Sequence, residues 1–183
     1  APYGYVLDST PVSFDVTEEN STQEGGITLI KVDKPNMAQK GTISVEKTGE
    51  VFFGVNVSGE EDKDVIYQPV YKVKGLAGAV YEITADEDII TPDGTLRYHK
   101  GDVVDTVTTD EDGTAKSKEL YLGKYTVVET KAPNGMVINK EKHSVELTYA
   151  GQDVAVTETA TSFVNERQKV KISLEKVLEQ NET

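Results

Sequence analysis

The sequence has no cysteine and no tryptophan, and only two histidines and two methionines. Disulfides and thiolate metal sites are thereby excluded, which for an extracellular module leaves open how it resists unfolding, since disulfides are the usual staple there. No apolar run approaches the ~20 residues of a membrane-spanning helix. The opening Ala1-Pro2-Tyr3-Gly4-Tyr5 has none of the features of a signal peptide, and the chain reads as an interior excerpt of something longer. Positive charge is scarce: 19 Lys and Arg stand against 32 Asp and Glu, for a net charge of −13. The acidic residues are scattered, which argues against nucleic acid or an anionic membrane as a partner held by simple electrostatics. His99 falls in a polar loop and His143 at the start of a strand, neither within a metal or nucleophile motif, and there is no glycine-rich phosphate loop. The chain does not read as an enzyme with turnover, and neither a cofactor nor a metal is expected.

What the 183 residues do hold is a succession of short runs rich in Val, Ile, Thr and Tyr, broken by Gly, Asp and Asn. The expected strands cover residues 27–32, 42–47, 78–84, 103–108, 120–130, 143–149 and 154–164. Polar, Gly-bearing breaks at 91–94, 110–113 and 150–153 supply the turns. Helical periodicity is hard to find, and an all-β sandwich is the expected fold.

The sequence also echoes itself. Ala1-Pro2-Tyr3-Gly4-Tyr5-Val6-Leu7 resembles Ala132-Pro133-Asn134-Gly135-Met136-Val137-Ile138, and each continues into an alternating stretch, at 12–16 and 143–147. Residues 36–47 resemble 165–176, with an Asn preceding a Lys by the same interval: Asn36 and Lys47 in one, Asn165 and Lys176 in the other. The expected organisation is a tandem repeat array. Residues 1–38 are the C-terminal part of a preceding domain, 39–168 a complete domain, and 169–183 the first strand of a following one. The segments between them are short, polar and free of Gly/Ser tracts, which predicts a semi-rigid array.

Strand alternation singles out three polar residues. Glu129 shares a face with Tyr125 and Val127, Lys47 with Ile43 and Val45, and Asn165 with Phe163. Each alone reads as an ordinary solvated strand end. Three inward registers at once point to amide formation between the lysine amine and the asparagine side chain, with loss of ammonia. Desolvation favours the uncharged forms of Lys47 and Glu129. The neutral acid then hydrogen-bonds the Asn165 carbonyl, polarises it and passes a proton to the leaving ammonia, while folding supplies the proximity. Such a reaction happens once per molecule.

The segments Lys-Gly-Thr-Ile-Ser-Val-Glu-Lys-Thr-Gly at 40–49, Gly-Leu-Ala-Gly-Ala-Val-Tyr-Glu-Ile at 75–83 and Asp-Gly-Thr-Ala at 112–115 carry a resemblance. So do Leu-Gly-Lys-Tyr-Thr-Val-Val-Glu-Thr-Lys-Ala-Pro-Asn-Gly-Met at 122–136 and Phe-Val-Asn-Glu at 163–166. Together they resemble the Cna B-type domain, also called the SpaA-like or prealbumin-like domain, of Gram-positive pilins and cell-wall-anchored adhesins. The resemblance implies a prealbumin-like/Ig-like β-sandwich with an intramolecular isopeptide bond between Lys47 and Asn165, assisted by Glu129. It implies a structural stalk module on the extracellular, cell-wall-anchored surface of a Gram-positive bacterium. The expected module is a monomer whose partners are neighbouring repeats of the same polypeptide, with any host or matrix ligand met through the parent protein. Asn36 and Lys176 are the partial-copy equivalents, each without the rest of its set. Met136 stands where the family usually has an aromatic residue, as Tyr5 is in the first copy.

The rival reading is a ligand-binding module that recognises a host or matrix partner through its loops. Exposed loops such as 86–88 and 91–94 are acidic and poor in aromatic and Arg anchors, leaving Leu96-Arg97-Tyr98-His99-Lys100 as the one candidate patch. Calcium at Asp110-Glu111-Asp112-Gly113 is the weaker alternative to a simple turn, because the spaced ligand series of an EF-hand is missing.

Overall fold

A computed structural model describes residues 1–59 and 65–176. Among these residues the regular structure is all strand. The first half holds β1 (Ser21–Glu24), β2 (Ile27–Ile30), β3 (Lys40–Ser58), β4 (Ile66–Gly75), β5 (Val80–Ala85), β6 (Ile89–Ile90) and β7 (Leu96–Tyr98). The second holds β8 (Val103–Thr108), β9 (Thr114–Lys116), β10 (Leu120–Tyr121), β11 (Gly123–Lys131), β12 (Lys142–Leu147) and β13 (Val156–Asn165).

Two sheets face each other. In one, β3 is the hub: β13 pairs with it in parallel, while β4, β9 and β10 pair with it antiparallel. The other runs β12-β11-β5-β8, all antiparallel. Alternate residues of each strand turn inward, so Ile43, Val45 and Phe163 from the first sheet meet Tyr81, Ile83, Tyr125, Val127 and Leu147 from the second in one apolar core. The turn at 110–113 joins β8 to β9, the one at 150–153 joins β12 to β13, and 91–94 closes the small β6-β7 hairpin.

Two features depart from the expected strands. β3 does not stop at Lys47 but runs 19 residues, through a bulge between Phe52 and Gly54, and pairs with β4, which the sequence reading leaves unmarked. The outer part of this hairpin leaves Phe52, Val55, Val57, Ile66 and Tyr67 exposed. The stretch 12–16 forms no strand and lies in solvent, because alternation gives a strand only where a second strand completes its hydrogen bonds. Residues 27–30 do find a partner, β1, in a separate two-stranded ribbon. Residues 169–176 are exposed and unpaired, with Val170, Ile172 and Leu174 almost fully in solvent. The rest of the expected third segment, 177–183, lies outside the described residues.

Candidate functional site

The site forms at one end of the core, where β3 and β13 lie side by side. In their parallel register Lys47 stands opposite Phe163 and Gly49 opposite Asn165, so Lys47 and Asn165 are diagonal neighbours on the inward face. The Lys47 backbone is fixed by the residues that flank β9 and β4: its N–H donates to the Gly113 carbonyl at 2.7 Å, and its carbonyl accepts from Leu76 N–H at 2.9 Å. Glu129 reaches in from the opposing sheet, paired across to Tyr81 on β5 just before a break in register at Lys131.

All three side chains are buried: Lys47 is 0 %, Glu129 2 % and Asn165 3 % exposed. Lys47 Nζ donates to Asn165 Oδ1 and lies 3.3 Å from Glu129 Oε1. Asn165 Nδ2 donates to both Glu129 oxygens, at 2.9 and 3.1 Å. The amide therefore sits the other way round from the sequence expectation, with its nitrogen and not its carbonyl toward Glu129. The inventory of donors explains it: an ammonium only donates and takes the carbonyl oxygen, while a carboxylate only accepts and takes the NH₂. Burial holds the Lys47 amine below its ordinary value, and the Glu129 charge pulls it part of the way back.

The walls are aromatic. Tyr81 and Phe163 lie with ring centroids 4.8 Å apart, and Lys47 Nζ is 5.9 and 5.6 Å from them. His143 stacks on Phe163 with ring centroids 3.9 Å apart, and its Nδ1 meets Thr161 Oγ1 at 2.7 Å. Burial and the adjacent Glu129 charge push the Tyr81 phenol up, and its hydroxyl has no hydrogen-bond partner.

Sequence alternation finds the three buried polar side chains but misses what holds them. Asn139 N–H donates to Glu129 Oε2 at 2.6 Å, and Asn139 Nδ2 donates to the Val164 carbonyl at 3.3 Å, closing the site from the loop that follows the Ala-Pro-Asn-Gly turn. A backbone amide can come from almost any residue, so no signal marked it. Lys47 is also not at a strand end but well inside β3. The partial-copy residues Asn36 and Lys176 are both exposed and lie outside any strand.

The other candidates are engaged within the fold. Arg97 lies over the Tyr121 ring at 4.7 Å and donates to Thr91 Oγ1 at 3.0 Å, while Tyr98 packs against the core. Asp110 spends its carboxylate on the Asp112 and Thr114 N–H groups and the Thr114 hydroxyl, which closes the turn. Among the described residues no three His, Asp or Glu side chains cluster so as to hold a metal ion.

The family model of the SpaA prealbumin-like fold domain matches residues 69–162, just over half the chain. The chain belongs to the SpaA prealbumin-like family. The matched stretch of this SpaA-like protein includes Glu129, while Lys47 and Asn165 fall on either side of it. Sequence comparison with curated proteins finds no match. Similar solved structures include the minor pilin GBS52 of Streptococcus agalactiae, at 17 % identity over 90 % of this chain and 61 % of that one, TM-score 0.44. The full-length major pilin SpaD of Corynebacterium diphtheriae is similar at 22 % identity over 70 % of this chain and 30 % of that one, TM-score 0.44. The TIE protein of Bacillus anthracis is similar at 19 % identity over 77 % of this chain and 20 % of that one, TM-score 0.41. The SpaA-like chain thus spans between a fifth and about three fifths of these proteins' lengths.

Proposed function

We propose that this SpaA-like chain is a load-bearing module of a Gram-positive surface stalk, pilin or adhesin, locked by an isopeptide bond between Lys47 and Asn165 that Glu129 promotes. The observation that carries the reading is the burial of an amine, an amide and a carboxyl in mutual contact, in a site walled by Tyr81 and Phe163.

The step balances as follows. Glu129 takes one proton from the Lys47 ammonium. The free amine attacks Asn165 Cγ, and Glu129 returns the proton to Nδ2, which it already contacts. The Cγ–Nδ2 bond breaks, ammonia leaves, and Glu129 takes the surplus proton from the new amide nitrogen. The aromatic walls exclude water from this exchange, and the fold supplies the effective molarity. Glu129 remains in place as an acid after a single event.

The bond suits a stalk because β3 and β13 run parallel. Tension entering near Lys40 travels seven residues along β3, crosses at Lys47 and leaves at Asn165, so the 118-residue span between the two lies outside the load path. The three-part organisation, 1–38, 39–168 and 169–183, is part of the same proposal. Matching backbone contacts support it. Tyr5 bridges Ala38 as Met136 bridges Arg167, and Val6 N–H donates to Met37 O as Val137 N–H donates to Glu166 O. Gln39 N–H donates to Gly4 O as Gln168 N–H donates to Gly135 O.

Intact mass under denaturing conditions tests the reading. The parent is expected to lack one ammonia, and Lys47→Ala and Glu129→Ala to retain their full calculated masses. A folded parent at full mass overturns it.

A further inference from the structure

The two matched segments share a backbone geometry and differ in what covers them. Gly4 (φ +82°) is buried, and a Cβ there would stand 2.6 Å from Pro92 Cγ; Gly135 (φ +76°) has the same left-handed turn, and a Cβ there would meet nothing within 4 Å. Gln39 is 1 % exposed and works as a clamp on the loop between β12 and β13. Its Nε2 donates to Gly151 O at 2.9 Å and to Val154 O, and its Oε1 accepts from Ala150 N–H at 2.9 Å. Gln168, which stands in the same relation to Gly135, is exposed, and its Nε2 donates to Met136 O at 3.3 Å. Around the buried copy, Leu7 N–H donates to Gln152 O at 2.8 Å and Tyr3 lies against Tyr149 with ring centroids 4.6 Å apart.

We propose that the Ala132–Met136 turn and Gln168 form a docking face for a following unit of the same fold, whose β12–β13 loop receives Gln168 as residues 150–154 receive Gln39. The inference rests on the tandem organisation proposed above. Its occupant is seen in place at the other end of the molecule, where an Ala-Pro-x-Gly turn already sits on Pro92 and its partner glutamine is threaded into the loop. A buried amide with all its hydrogen bonds made fixes register and orientation, since any tilt leaves Gly151 O, Val154 O and Ala150 N–H unpaired. The joint is therefore a keyed hinge-stop between units and not a loose tether. Arg167, stacked on Tyr71 at 3.7 Å and paired with Glu50 at 3.3 Å, ties the same exit segment to the β3–β4 hairpin.

Two measurements test it. In the full chain, hydrogen exchange should show the Leu7 and Ala150 amides protected, and Gln39→Ala should release them by about tenfold or more. Unprotected amides in the parent, or no change in the variant, overturn the clamp. In a two-unit protein, residues 1–168 followed by a second copy of 40–168, the Gln168 and Ile138 amides should become at least about tenfold better protected than in the single chain. Scattering should fit one fixed inter-unit arrangement. Gln168→Ala, a surface change in the single chain, should restore fast exchange and a spread of arrangements. A tandem with free hinge motion overturns the proposal even if both copies have lost ammonia, in which case the cross-link reading stands. A fixed joint between copies at full mass supports the docking face and removes the cross-link.

Discussion

Replacing Lys47 alone or Glu129 alone confounds two effects, because the remaining buried charge loses its partner and costs about 3–5 kcal/mol by itself. The double variant Lys47→Met/Glu129→Gln separates them. Methionine keeps most of the lysine stem's volume in the space between Tyr81 and Phe163, and glutamine keeps the shape of the carboxyl beside Asn165 and Asn139 N–H. No charge is left in the core, and no bond can form. What disappears is closure of a chain segment 118 residues long, worth about 5 kcal/mol by the loop-entropy relation. For a domain of this size about 4 °C accompanies each kcal/mol, so the double variant should melt about 20 °C below the parent. Either single variant should fall further. Intact mass reports the bond in each protein, and near-ultraviolet dichroism of the tyrosines reports unfolding. The reasoning fails if a parent lacking one ammonia melts within about 5 °C of the full-mass double variant. The closed segment would then contribute little, and the bond's role would be purely mechanical.

Tyr81→Phe removes a buried hydroxyl that has no partner and should raise stability by about 1 kcal/mol in a denaturant titration, with the ammonia loss unchanged. Gly113→Ala places a Cβ 2.3 Å from the Lys47 carbonyl at a residue with φ +81°. It should cost about 3 kcal/mol or more and slow cross-linking, both read on freshly refolded protein. Asp93 is held at about 2 by the Thr91 hydroxyl and the Thr95 N–H. The folded value is depressed, so its contribution is present above the ordinary carboxylate range and fades as pH falls through about 2. The Thr95 amide resonance should titrate with that midpoint and stop doing so in Asp93→Asn.

Period-two alternation was enough to place Lys47, Glu129 and Asn165 on inward faces, because a strand buried on one side leaves only one register open to its apolar residues. The same rule could not reveal that β3 and β13 are adjacent and parallel, since pairing between segments more than a hundred residues apart leaves no local trace. Nor did it show β4 or the outer half of β3. There Phe52, Val55, Val57 and Tyr67 are apolar yet exposed, and a hairpin standing clear of the core has no buried face to impose alternation. Nothing in the sequence singled out Gln39, because its burial depends on three backbone groups more than a hundred positions away. The orientation of the Asn165 amide likewise became visible only once both of its neighbours were in place.

The parallel pairing of β3 and β13 also sets a clock. A chain emerging N-terminus first at about 5–20 residues per second presents Asn165 some 6–24 s after Lys47. Until then β3 lacks its parallel neighbour, and Lys47 has neither Asn165 beside it nor its dry enclosure. On the proposed cross-link, the chain would therefore stay an open line until β13 has formed. The proposed knot could be tied only once this last strand is in place, so no closed loop would exist while the 118 positions from Lys47 to Asn165 are still being made.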